Sequence, residues 1–492
     1  MGVEQSATSR RNFIKTAATS LAAITILPSH VVAGLGHRPP SSRLSIAAIG
    51  VGGVGFKNLN AMNEENIVAL CDVDKSYGLK AFRRWPAAVR YVDFRKMFEA
   101  EKNIDAVLIA APDHIHAHAA CVAMKLGKHV FVQSPMGHSV QEIRRMAQLS
   151  KLYPIVSQVG NTIASSGISR RVSEIIWNGD LGEIREVDVW SSGPEWPQGY
   201  LPDTKKTNVP ATLDWDLFLG PAEFIPYKEN YTPFGWRAFW SFGSGTLGSE
   251  APYLLEPVFR ALKLGVASAV DASSSFYDLS VAPVTSKIVF EFNRRDNLPK
   301  LSLPPVCISW YDGGLMPNLP RDVPDELSLV DFKSGIIFKG NEGLLFVNVF
   351  DEKLFLVKNG KIIESEAPQT IFRVASSQHG HEADWLRACK EQESNRLACS
   401  ASFESQLALS ETILVGNMAL RLQSLKRKLY WDTLRSKFSN IGEDELVSIS
   451  SPARFSIENA FPVYNKQMQQ YNATQLVEQW VNPTYREGWN LV

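Results

Sequence analysis

Leu44-Ser45-Ile46-Ala47-Ala48-Ile49 runs directly into Gly50-Val51-Gly52-Gly53-Val54-Gly55, and this junction decides the fold of the first third of the chain. A short apolar run that ends in glycines reads as a buried strand, and helical spacing takes over from Gly55 to about Asn63. Glycines in the order G-x-G-x-x-G at such a junction each have a task. Gly50 makes the turn, Gly52 lets the backbone approach a pyrophosphate, and Gly55 allows close packing of helix on strand. The helix that begins here, with Val54 in its first turn, aims free N–H groups at the phosphates. Asp72, at the end of the next apolar run, is placed to accept hydrogen bonds from the adenine ribose hydroxyls. A carboxylate there disfavours a 2′-phosphate, so NAD is expected ahead of NADP.

Outward from the junction, short apolar runs alternate with helical patterns. Ile67 to Cys71, Val89 to Tyr91, Ala106 to Ala111 and His129 to Val132 read as strands, and His116 to Leu126 and Gln141 to Leu152 as helices. This alternation predicts a parallel sheet with helical crossovers. From about Arg185 the runs lengthen and fill with β-branched and aromatic residues: Glu186 to Trp190, Val284 to Phe292, Leu301 to Trp310 and Gly335 to Phe346. Glycine, proline and asparagine turns join them, which predicts a large, mainly antiparallel sheet. Helical spacing returns at Glu382 to Lys390 and Phe403 to Leu422. The expected fold class is therefore α/β. Residues 1–42 are a signal and linker, 43–160 a Rossmann dinucleotide-binding domain, and 161–492 a substrate and oligomerisation α/β domain with a C-terminal extension.

Bulk composition narrows the partners. The 492 residues carry 51 Lys plus Arg against 51 Asp plus Glu, so no net field recruits nucleic acid. Five scattered cysteines, Cys71, Cys121, Cys307, Cys389 and Cys399, form no C-x-x-C pair and no disulfide framework. Ser9-Arg10-Arg11-Asn12-Phe13-Ile14-Lys15 is a twin-arginine pattern. The apolar run after it, Thr16 to about Leu27, is too short and too rich in Ala, Ser and Thr to be a lasting membrane anchor, and Val31-Val32-Ala33 suits cleavage. Export to the periplasm is the expectation, by a route that carries folded proteins with a cofactor already bound.

Further segments carry a family resemblance. They are Cys71-Asp72-Val73-Asp74, Ala110-Ala111-Pro112-Asp113-His114, and Gly127-Lys128-His129-Val130-Phe131-Val132-Gln133-Ser134-Pro135. Leu213 to Pro221, Trp236-Arg237, Phe242 to Gly248 and Tyr485 to Trp489 add to them. With the Gly-rich turn, they make the chain resemble the Gfo/Idh/MocA family of sugar and cyclitol dehydrogenases over nearly its whole length. The resemblance implies that Ala111, Pro112, His116 and Gln133 join the cofactor site. It further implies a sugar, cyclitol or glycoside as substrate, and an open sheet that often carries a homo-oligomer contact.

At the reacting end the chain departs from that pattern. The family's Glu-Lys-Pro segment reads Gln133-Ser134-Pro135, and a serine hydroxyl can neither stabilise an alkoxide by charge nor act as a base near neutral pH. The family's Asp and His after the Gly-Thr-Leu-Gly turn are Ser249 and Tyr253, with Glu250 the nearest carboxylate. Tyr253 is a poor base unless a cation lies close. Two readings stay open: an oxidoreductase with altered chemistry around Ser134, Tyr253, Glu250 and His381, or a non-catalytic nucleotide- or carbohydrate-binding relative. His379 and His381 with Asp384 are candidates for a polar cluster on the substrate side, against the plainer reading of a helix cap. His114, His116 and His118 span a strand-to-helix junction and are not expected to converge on a metal. Trp196, Trp215, Trp236 and Trp240 suit a glycan cleft or a core equally well.

Overall fold

The computed structural model describes residues 43–200, 207–275, 278–321, 323–324, 327, 332–374, 380–450, 454–465 and 468–492. The twin-arginine segment, the apolar run behind it, the 37–42 linker and His379 lie outside the described residues.

Six strands form the first sheet: β1 Ser45–Ile49, β2 Asn66–Cys71, β3 Val89–Tyr91, β4 Ala106–Ile109, β5 His129–Val132 and β6 Ser157–Val159. Their order is β3-β2-β1-β4-β5-β6, and every pairing is parallel. Ile46, Ala47, Ala48 and the whole of β4 are inaccessible to solvent, because crossover helices cover both faces of a parallel sheet. The strand order reverses between β1 and β4. Their carboxyl ends, Gly50 and Ala110, therefore border a crevice in which open α/β sheets bind ligands.

Ten strands form the second sheet. They are β7 Ile184–Trp190, β8 Ala269–Ser274, β9 Ser286–Phe292, β10 Val306–Tyr311, β11 Gly335–Gly340, β12 Leu344–Asn348, β13 Lys353–Lys358, β14 Lys361–Ile363, β15 Leu429–Asp432 and β16 Lys437–Phe438. The order is β14-β13-β12-β11-β7-β10-β9-β8-β15-β16, antiparallel throughout except for β7 against β10. Along β9, Ser286, Ile288, Phe290 and Phe292 are buried and the residues between them are not, the period-two signature of a sheet with one covered face. The helices Gly167–Trp177, Gly245–Leu262 and Phe403–Arg421 pack together in the same core. Gly335 to Phe346, read as one run in the sequence, is instead the hairpin of β11 and β12, turned at Asn341-Glu342-Gly343.

The two sheets share one continuous core. Polar ties reinforce it. Arg144, on the helix Val140–Leu152, grips Glu411 of the 403–421 helix through two nitrogens at 2.9 and 2.6 Å. Gln133 Nε2 donates to Asn58 Oδ1 (2.8 Å), and Asn58 Nδ2 donates to Glu382 Oε1 (2.7 Å), which links β5, the first Rossmann helix and the late helix Gly380–Lys390. Among the described residues no helix is long and apolar enough to cross a membrane.

Candidate active site

The crevice at the switch point is a cleft of about 960 Å³. Gly50, Gly52, Val54, Asp72, Ala111 and Pro112 line it, six of the nine residues the sequence assigns to a cofactor. Gly50 has φ +76°, and a Cβ there would sit 2.6 Å from the Ala110 carbonyl. Asp72 Oδ2 accepts the Val51 amide at 2.9 Å and Oδ1 accepts the Asp74 amide at 2.9 Å. Burial lifts its carboxyl to about 6, although these amides pull the other way. A dinucleotide fits this frame at the turn, the helix start and the ribose carboxylate. One side chain stands in its way. The Tyr77 ring lies where a Gly52 side chain would be, 2.2 Å from the ideal Cβ position, which is the space the second glycine keeps open for pyrophosphate. Phe234 meets Tyr77 edge-on at 5.8 Å, so the lid is a pair of rings.

Gly55, His116 and Gln133 stand behind the cleft and do not line it. A Cβ on Gly55 would fall 2.0 Å from the Gly50 carbonyl oxygen, so this residue sets helix-on-strand packing. His116 braces two cleft segments from behind, with Nδ1 2.9 Å from Pro135 O and Nε2 2.8 Å from Ala111 O. Gln133 is spent on Asn58 and on the Ser134 amide.

Ser134 and Tyr253 are brought together. Ser134 lies near enough to ease Tyr253 ionisation, yet its buried hydroxyl has no hydrogen bond of normal geometry. Tyr253 donates to Gly160 O at 3.4 Å. Burial first, and the Glu250 charge second, push the phenol up to about 12, so Tyr253 holds its proton near neutral pH. Glu250 lines a separate cavity of about 880 Å³ at the ends of the interior strands β7, β11 and β12, with Glu195, Lys333, Asn348 and Asp351. Burial and the Glu195 charge raise its carboxyl.

Two groups in this region were not among the catalytic candidates. Arg237 lines the nucleotide cleft, and its charge acts on Asp113, Tyr77 and Tyr253. Its guanidinium lies 4.2 Å from the Trp236 ring centre and 5.7 Å from that of Trp196. Asp113 is buried with Oδ2 unpartnered, and desolvation lifts it to about 7 against the pull of Arg237. The Trp236-Arg237 dipeptide was visible as a motif. Its proximity to Asp113 was not, because more than a hundred residues separate them in the chain.

His381 is displaced from the reacting end. Its Nε2 lies 2.8 Å from Val159 O, its Nδ1 lies 2.7 Å from Ser165 Oγ, and its ring packs on Phe131. With both nitrogens engaged in a buried pocket beside β6, it is a structural histidine and not a substrate contact. Asp384 likewise caps Ser400 and pairs with Arg387. The His114, His116 and His118 rings diverge: His114 meets Phe218 and Phe242 carbonyls, and His118 packs edge-on to Tyr485. Trp215 is core, stacked on Phe218 at 5.0 Å, whereas Trp196 and Trp236 flank Arg237.

Known proteins share this architecture. Residues 44–160 match the profile described as "Oxidoreductase family, NAD-binding Rossmann fold" of GFO_IDH_MocA, and residues 169–279 match its C-terminal alpha/beta domain. Myo-inositol 2-dehydrogenase of Thermotoga maritima is 23% identical over 157 residues, 31% of this chain and 47% of that protein. A glycosyl hydrolase family 109 protein of Solibacter usitatus is 31% identical over 165 residues, 29% of this chain and 36% of its own length. The chain thus spans less than half the length of these curated relatives. Levoglucosan dehydrogenase in complex with NADH and levoglucosan superposes with a TM-score of 0.54 at 16% identity, covering 79% of this chain and 99% of that one. Residues 44–160 and 169–279 thus carry, one after the other, the NAD-binding Rossmann domain and the C-terminal alpha/beta domain of the Gfo/Idh/MocA oxidoreductase family.

Proposed function

We propose that this protein binds NAD(H) in the switch-point cleft and oxidises or reduces a CH–OH group of a sugar or glycoside, with Arg237 standing in for the missing lysine charge. The observation that carries this reading is a half-buried guanidinium at the cleft wall whose field reaches both Asp113 and Tyr253. Bound NAD supplies a hydride acceptor, and NADH a donor. Arg237 stabilises negative charge on the substrate oxygen, a contribution that is large in a desolvated site. Asp113 is the base, poised near neutrality by burial. Tyr253 keeps its proton and orients the substrate by turning that one donor from the Gly160 carbonyl, 3.4 Å away, to a substrate oxygen. Glu250 and Glu195 offer acceptors for sugar hydroxyls in the separate cavity that they line. The decisive test is mass spectrometry of nucleotide released from the purified protein, followed by a sugar panel read at the NADH absorbance. Absence of bound or bindable nucleotide would sink this reading.

The Tyr77 ring favours the second reading, a relative that has given up turnover. The two separate on one variant. Tyr77→Ala should tighten NADH binding by about threefold or more in calorimetry, because the binding-competent state no longer requires displacement of the ring. Weaker binding would show that Tyr77 supports the nucleotide and does not exclude it.

The sign of the pH dependence follows from Asp113. A base must be deprotonated, so kcat/KM for oxidation should climb as pH rises through about 7. Asp113→Asn should flatten that limb, and an unchanged limb would assign the base elsewhere.

Export by the twin-arginine route and homo-oligomer formation belong to the same proposal. Arg10→Lys with Arg11→Lys should hold the protein in the cytoplasmic fraction. Periplasmic recovery of that double variant would refute the route.

A further inference from the structure

A second cavity, about 1050 Å³, lies beside the last turn of the 403–421 helix and shares no lining residue with the nucleotide cleft. Arg421 lines it beside two indoles: its guanidinium carbon is 3.9 Å from the Trp480 ring centre and 4.9 Å from that of Trp240. Nε donates to Asn417 O at 3.3 Å. Among the described residues no carboxylate pairs with it. Burial depresses Arg421 to about 9 with nothing opposing it. A guanidinium does not shed its proton near neutral pH, so the cation is retained without a counter-ion.

One turn back on the same helix face stands Asn417, 3% exposed. Its Nδ2 donates to Ser244 O at 3.1 Å, but its buried Oδ1 has no donor. Buried acceptors are nearly always satisfied, so this one marks a missing partner. The cavity therefore presents a cation without an ion pair next to an unmatched acceptor; its wall also carries Gln479, Thr484 and two carboxylates, Glu223 and Glu142, the latter engaged by the His138 and Ser139 amides and the Tyr485 hydroxyl. The two indoles restrain the guanidinium, and with Nε on Asn417 O its two terminal nitrogens are left for a bidentate grip on a carboxylate. The acceptor calls for a hydroxyl.

We propose that this cavity is a binding site for a polyhydroxylated carboxylate, the chemical class of the sugar acids, with the carboxylate on Arg421 and a hydroxyl on Asn417. Because no residue is shared with the nucleotide cleft, the site stands whether or not the protein turns over a sugar.

The test is titration of the full chain with sodium gluconate, followed by calorimetry and by tryptophan fluorescence, since Trp240 and Trp480 flank the cation. Sorbitol, which lacks the charge, and acetate, which lacks the hydroxyls, are the controls. Saturable gluconate binding at least about tenfold tighter than either control is expected, with a loss of about tenfold or more in Arg421→Gln and in Asn417→Leu. Arg421→Lys keeps the charge without the planar fork and should also weaken binding, and it serves if Arg421→Gln does not melt cooperatively. No saturable binding by the parent protein overturns the proposal. So does equal binding of sorbitol or acetate, or gluconate affinity unmoved in a folded Arg421 variant.

Discussion

Arg237→Met should lower kcat/KM for the best sugar substrate by about 10²–10³, the usual loss when one preorganised electrostatic donor is removed. Methionine keeps the length and apolar stem of the side chain, so its stacking between Trp236 and Trp196 is largely retained while the charge is removed. The loss should fall mainly on kcat, because the charge on the substrate oxygen develops in the transition state. NADH affinity should change little. A variant with full turnover would place the stabilising charge elsewhere and leave Arg237 a structural cation. Asp113 provides an internal check. The pull of Arg237 holds its carboxyl down, so without that pull Asp113 should titrate higher and carry the alkaline rise of the rate upward with it.

Gly50→Ala should cost about 2–5 kcal/mol of stability, the sum of a left-handed backbone penalty and an overpacked contact. At φ +76° an L-residue is strained before packing is considered. The added methyl would also stand 2.6 Å from the carbonyl carbon and oxygen of Ala110, backbone atoms that cannot move without parting β1 from β4. Gly127→Ala makes the matched control: its φ is +71°, yet nothing lies within 4 Å of the new Cβ. Chemical denaturation should show a loss of about 1–2 kcal/mol there. Equal losses in the two variants would mean that the close approach of Gly50 to Ala110 contributes nothing.

The Rossmann half was legible because its signals are local. Each strand and each glycine of the turn can be read within ten residues, and β3 and β5 fall where the apolar runs place them. The large sheet was legible in type but not in detail, since alternation marks a half-buried strand without saying where a hairpin turns, as the Asn341-Glu342-Gly343 corner shows. At the site, adjacency in sequence misled for His381, whose polar neighbours on its own helix concealed its real partners, Val159 and Ser165. Tyr253 reads as a poor base unless a cation lies close, and Arg237, the cation whose charge does reach it, comes near only through tertiary packing. Tyr77 over Gly52 had no local signature, because a ring within the 75–78 turn can point several ways.

The clasp of the first domain by late residues bears on the order in which this protein is made. Val159 of β6 donates its amide to Ala401 O at 2.8 Å, Gln158 donates to His381 O, and Asn58 waits for Glu382. Nearly the whole chain must leave the ribosome before the edge of the first sheet is closed. Until then β6 is an open template for strand pairing with other chains, a hazard during synthesis. The β6 edge of the nascent nucleotide domain therefore lacks its cover until residue 401 arrives.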